Sequence, residues 1–282
     1  MTARHDEGKL ARRKTAGPPL YFNVTLPTAP PELVVGLLHG YADYGARYPH
    51  VAEFWAERGI ATVAIDMRGH GRAEGPRGYC KHFADYQDDV AELVALVDER
   101  VASPPRILFG HSFGGLVAAT AALAGATAWR GLVLSSPFFG VALRVPQAQK
   151  VAGKVVSRIL PRVSLPSGLR GRDLTHDAAR ARAYDDDPLV FKNANSRWFT
   201  ESEAGQDAAI ARAPSLAMPL YEFIGTADRV VKIERARQFF DAAGSADKTW
   251  VPLEGLLHET LNEIDWQPVA SGVADWMLSH AR

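Results

Sequence analysis

The 282-residue chain has one cysteine, Cys80, and no excess of either charge, with 32 Lys plus Arg against 32 Asp plus Glu. It also has no run of 18 apolar residues. A single cysteine excludes an internal disulfide and fits a reducing compartment. The missing apolar run excludes a transmembrane helix. Zero net charge leaves no field to attract nucleic acid, and no nucleic-acid partner is expected. The N-terminus MTARHDEGKLARRKTAGPP contains an Arg-Arg pair with no apolar stretch after it, so it reads as neither a secretory nor a twin-arginine signal. A cytoplasmic location is expected, with peripheral membrane contact left open. Residues 1–17 carry five basic and two acidic side chains and read as a disordered polar tail. Neither an internal repeat nor a low-complexity block is present.

What is present is an alternation. Leu33–Leu38 and Ile60–Ile65 are short continuous apolar runs, as expected of strands buried on both faces. Ile107–Phe109 and Leu132–Leu134 are two more. Between these runs, helices are predicted over 48–58, 83–101 and 116–124. This order implies a parallel sheet wrapped by helices. From about Phe138 to Pro214 there is no convincing buried strand, and the rhythm then resumes at Leu220–Ile224. A helix near 233–243, a strand near 248–253 and a helix over 266–280 complete it. The chain therefore divides into an α/β core, residues 18–137 and 216–282, and a cap over 138–215, because a structureless loop that long is improbable in a compact domain.

The sharpest local signal is ILFGHSFGGLVAAT, residues 107–120. The pentapeptide Gly110-His111-Ser112-Phe113-Gly114 also arises by chance, but here it follows a strand and opens a small-residue helix. That is the setting of a nucleophile elbow, in which glycines two residues either side relieve a tight turn. Ser112 is the candidate nucleophile. Asp228, on the loop after strand 220–224, is the candidate acid, and His258, on the loop after strand 248–253, the candidate base. Taken singly, Asp228 reads equally as a helix N-cap and His258 as an ordinary loop histidine; His280 is the one competitor downstream. Their joint position at the ends of consecutive parallel strands favours a triad. Backbone N–H groups of Phe113 and of Tyr41, which follows His39-Gly40, are the candidate oxyanion hole.

With these residues in view, the sequence resembles the monoacylglycerol lipase and lysophospholipase group of the α/β-hydrolase superfamily. The resemblance covers residues 33–280 and rests on HGYADYGARY, DMRGHGRAEGPRG, GHSFGG, DPLV, GTADRVV and HETLNE, in that order. It implies an α/β-hydrolase fold with a mostly parallel eight-stranded sheet and a helical cap. It also implies hydrolysis of lipid carboxylic esters through an acyl-enzyme, without metal or other cofactor. One departure is visible: where the group carries Gly-Glu-His, this chain has Ala42-Asp43-Tyr44.

Other features admit plainer readings. Basic residues at 150, 154, 158 and 162 form a stripe that reads as an interfacial helix on anionic lipid or, more simply, as a cap surface. Asp185-Asp186-Asp187-Pro188 reads as a turn rather than a metal site. Cys80, His70 and His82 read as structural. The second class is the same machinery serving another bond, as a general carboxylesterase, an aminopeptidase or a C–C hydrolase, the acidic run keeping the aminopeptidase open, and a non-enzymatic scaffold is the third class.

Overall fold

The structure, a computed structural model, describes residues 3–101, 105–125, 128–142 and 157–281. An eight-stranded sheet runs in the order β1-β2-β4-β3-β5-β6-β9-β10. Its strands are β1 (Ala3–Leu10), β2 (Leu20–Pro27), β3 (Leu33–Leu38), β4 (Ile60–Asp66), β5 (Arg106–His111), β6 (Gly131–Ser135), β9 (Leu220–Gly225) and β10 (Lys248–Leu253). β1 and β2 pair antiparallel, as do β2 and β4, and every other neighbouring pair is parallel. Every residue of β3, β4, β6 and β9 is buried, which is why these strands read as mostly apolar runs, Glu222 in β9 apart.

One face of the sheet is covered by α2 (Asp85–Arg100), α3 (Phe113–Leu123) and α6 (Ile233–Ala242). The other carries α1 (Pro49–Glu57) and α7 (Trp266–Ser279). Because β6 and β9 are sheet neighbours, everything between them is inserted at the end of the sheet where the parallel strands finish. In its described part the insertion contains β7 (Ser164–Pro166), α4 (Ala178–Asp186), β8 (Asn193–Asn195) and α5 (Ser196–Arg212). Lys150 and Lys154 of the basic stripe lie outside the described residues.

The N-terminal segment corrects the expectation of a disordered tail. Residues 3–10 form a full edge strand, paired from Ala3–Pro27 to Leu10–Leu20. The following residues then dock on α2. Glu92 accepts the N–H groups of Arg13, Lys14 and Thr15 and the Thr15 hydroxyl, and Arg12 pairs with the buried Asp89. Backbone ladder bonds and buried ion pairs hold this segment, and mean polarity registers neither.

One core position is at odds with its surroundings. Glu222 in β9 is fully buried, and neither carboxyl oxygen has a hydrogen-bond partner. Burial pushes its pKa well above the usual carboxyl range. The unfolded chain releases this proton near the ordinary value of about 4.3, while the folded chain keeps it to higher pH. The folded state thus binds more protons in that window, and stability falls as pH rises through it. Glu222→Met is therefore expected to stabilise the fold by about 1–3 kcal/mol at neutral pH, with a gain that grows with pH. Urea denaturation at about pH 5 and about pH 9 checks it; a gain that shrinks with pH would show that the carboxyl is not held neutral.

Candidate functional site

β5 ends at His111, and the next residue turns the chain into α3. Ser112 takes φ 52° and ψ −116°, a left-handed conformation unusual for a residue with a side chain. Neighbouring atoms lock it: its N–H donates to the Ser135 carbonyl, and its own carbonyl accepts from Gly115, Leu116 and Phe138. The two glycines of the pentapeptide are demanded by close approach. A Cβ at Gly110 would strike the Gly114 carbonyl, and one at Gly114 would strike the carbonyls of Leu38 and His39. Ser112 is 7% exposed.

Asp228 and His258 come together. The His258 Nδ1–H donates to Asp228 Oδ2 at 2.7 Å, and both side chains are buried. The other carboxyl oxygen, Oδ1, accepts from Val230 and Val231 N–H at 2.7 and 3.0 Å, so the acid cannot swing away. Their loops pack so closely that a Cβ at Gly225 would collide with the carbonyls of Leu256 and Leu257. Burial opposes protonation of the His258 ring, yet the Asp228 carboxylate more than offsets it, and His258 titrates above the usual histidine value. The His258 ring lies 4.9 Å, centroid to centroid, from that of His111, the residue next to Ser112. His280, the competing histidine, bonds Trp276 and Asp247 instead.

The loop after β3 approaches the serine from another side. A Cβ built at Gly40 would lie 3.5 Å from Ser112 Cβ. His39 controls the orientation of this loop. Its Nδ1–H donates to the Gly40 carbonyl at 2.7 Å, and its Nε2 accepts the Met67 N–H at 2.9 Å, so one neutral tautomer satisfies both bonds. Burial pushes its pKa down to about 4, which keeps that tautomer neutral. With the Gly40 carbonyl pinned to the imidazole, the Tyr41 N–H points the opposite way across the same peptide plane. Phe113 N–H is the first of α3, where the helix supplies no acceptor. Among the described residues neither N–H has an acceptor.

Several residues around this site carried no assigned role in the sequence. Arg47 donates to both carboxyl oxygens of Glu259, at 2.9 and 3.2 Å, and pairs with Asp43 at 3.3 Å. All three side chains are buried, so this ion cluster ties the β3 loop to the His258 loop. The cap is fastened to the same loop: Glu263 accepts from Leu257 N–H and from His176 N–H, both at 2.8 Å. The departure Ala42-Asp43-Tyr44 acquires a meaning here. Asp43 meets Arg47, while the Tyr44 hydroxyl donates to Asp187 of the cap at 2.7 Å. Arg47, Asp43, Tyr44, Asp187, Glu259 and Glu263 each fall inside a motif of the resemblance, whereas His176 falls in none and carried no signal.

The remaining candidates are occupied structurally. Asp185 accepts the Gly171 N–H and Asp187 the Leu189 N–H. His70 bonds the Arg68 carbonyl, and the His82 N–H is bound by Asp85. Burial pushes the Cys80 thiol up to about 12, leaving almost no thiolate at neutral pH. A small pocket lined by Tyr48, Thr62, His111 and Glu259, among others, lies on the α1 side of the sheet, and Ser112 does not line it.

Residues 29–265 match the Hydrolase_4 family, described as serine aminopeptidase S33. The chain belongs to this family. Over 262 residues it is 29% identical to a monoacylglycerol lipase of Mycolicibacterium smegmatis, covering 93% of each chain. It is 30% identical over 250 residues to phospholipase YtpA of Bacillus subtilis, covering 85% of this chain and 92% of that one. Among solved structures, the monoacylglycerol lipase of Paleococcus ferrophilus superposes with a TM-score of 0.83 at 27% identity, over 93% of this chain and 99% of that one. The fold is that of the α/β-hydrolases, as the resemblance implied.

Proposed function

We propose that the chain is a serine hydrolase of carboxylic esters, acting on monoacylglycerols or lysophospholipids through Ser112, His258 and Asp228. The observation that carries this reading is the buried Asp228–His258 pair beside a serine held in a strained elbow. His258 Nε2 takes the Ser112 proton as Oγ attacks the ester carbonyl, and the N–H groups of Tyr41 and Phe113 receive the oxyanion. The alcohol leaves with the proton from His258, which forms the acyl-enzyme. Water, deprotonated by the same imidazole, then releases the acid and restores Ser112. Asp228 keeps the proton of the resting imidazole on Nδ1 and stabilises the imidazolium.

The similarity to a monoacylglycerol lipase and a phospholipase supports the ester reading over the aminopeptidase one. So do the acidic residues of the cap: Asp185 and Asp187 are already bound to N–H and hydroxyl groups of the protein rather than free to hold a substrate amine. Hydrolysis of monobutyrin, mono-olein, lysophosphatidylcholine and aminoacyl anilides, compared by kcat/KM, tests it. The esters are expected to exceed the anilides; a preference for anilides would overturn the lipid assignment in favour of a peptidase.

A further inference from the structure

The cap helix α5 begins beside the candidate oxyanion loop, and its first turn brings an indole there. The Trp198 ring stacks on Tyr41 with centroids 3.4 Å apart at 22°, and lies parallel to Phe138 at 5.8 Å and 15°. It meets Phe113 edge-on at 5.3 Å and 70°. Each of these three partners adjoins the serine. Phe113 follows it in the chain, Tyr41 follows Gly40, and the Phe138 N–H donates to the Ser112 carbonyl.

Little freedom is left to the indole. Asn195 Oδ1 accepts the N–H groups of Arg197 and Trp198, and the Asn195 N–H donates to the Tyr41 hydroxyl at 3.0 Å. Tyr41 in turn donates to the Gly78 carbonyl.

The stereochemistry of acyl transfer decides which half of the substrate meets this wall. His258 must protonate the departing alcohol, so the alcohol lies on the histidine side. The acyl group, with its carbonyl oxygen on the Tyr41 and Phe113 N–H groups, then lies away from the histidine, and the rings packed beside those N–H groups are Tyr41, Phe138 and Trp198.

We infer that Trp198 is a specificity-determining residue that closes the acyl side of the site, so that the enzyme hydrolyses esters of short acyl groups in preference to those of long fatty acids. This rests on the ester-hydrolase reading above. The test is a series of p-nitrophenyl esters from acetyl to palmitoyl, run on wild type, Trp198→Ala and Trp198→Leu, each scored by its own ratio of kcat/KM for laurate over butyrate. Wild type is expected to fall steeply beyond hexanoate, and removing the indole to raise the ratio at least about tenfold. A wild-type profile that peaks at laurate or palmitate would overturn the inference while leaving the ester reading intact, whether or not the variants fold. A ratio unchanged in folded variants would do the same. Absence of hydrolysis of every ester by wild type would instead remove the ester reading and the inference with it.

Discussion

Ser112→Ala is expected to lower kcat on any ester substrate by about 10⁴- to 10⁶-fold, and to abolish labelling by a fluorophosphonate. The size of the effect follows from the chemistry. Without Oγ no acyl-enzyme forms, and only oxyanion stabilisation and substrate binding remain to assist a direct attack by water. Alanine is as compatible as serine with the strained backbone at this position, and the bonds that hold it there come from main-chain atoms of residues 112, 115, 116, 135 and 138. The loss should therefore appear in kcat with an unchanged unfolding transition. Labelling that persists in the variant would show that another residue is the nucleophile.

Asp228→Asn is expected to cost about 10⁴-fold in kcat, for a reason legible in the hydrogen bonds. The Val230 and Val231 N–H groups hold one side-chain oxygen of residue 228, and an asparagine would keep its carbonyl there. Its NH₂ would then face His258 Nδ1, which would have to accept rather than donate. The imidazole proton would move to Nε2, leaving no lone pair for the serine proton.

The pH profile separates this from a simple loss of packing. Only neutral His258 can act as base, and in the wild type the Asp228 carboxylate raises its pKa above the usual histidine value against the effect of burial. The rising limb of kcat/KM should therefore lie above about 6.5 in the wild type. In Asp228→Asn the carboxylate is gone and burial acts more freely, so the limb should move to lower pH. A limb that stays in place would show that Asp228 does not set the His258 titration.

Much of the core was legible in residue order. Strands buried on both faces announce themselves as short apolar runs, and β3, β4, β5 and β6 were found in this way, with β9 where the rhythm resumes around Glu222. The helices agreed to within one to three residues at their ends. α3 was placed late: the small-residue helix was read from Leu116, whereas it starts at Phe113, immediately after the strained serine. β1 was missed because an edge strand open to water needs no apolar alternation; its ladder with β2 and the docking of Arg12–Thr15 on α2 come from polar atoms. Glu222 was unremarkable within Leu220–Ile224, since a neutral and an ionised carboxyl are written with the same letter.

What the sequence determined by itself was the candidate site: a serine between glycines at the end of a strand, with an acid and a histidine at two later strand ends. Those identities follow from local turn geometry and from the order of a parallel sheet, both of which are short-range or topological. What only the tertiary structure decided was the surroundings of those groups. The tautomer of His39, the bridge from Arg47 to Asp43 and Glu259, and the stacking of Trp198 on Tyr41 each join residues between 1 and more than 200 positions apart. The long-range contacts among these depend on how the cap and the loops close over the sheet, and no local pattern encodes that closure.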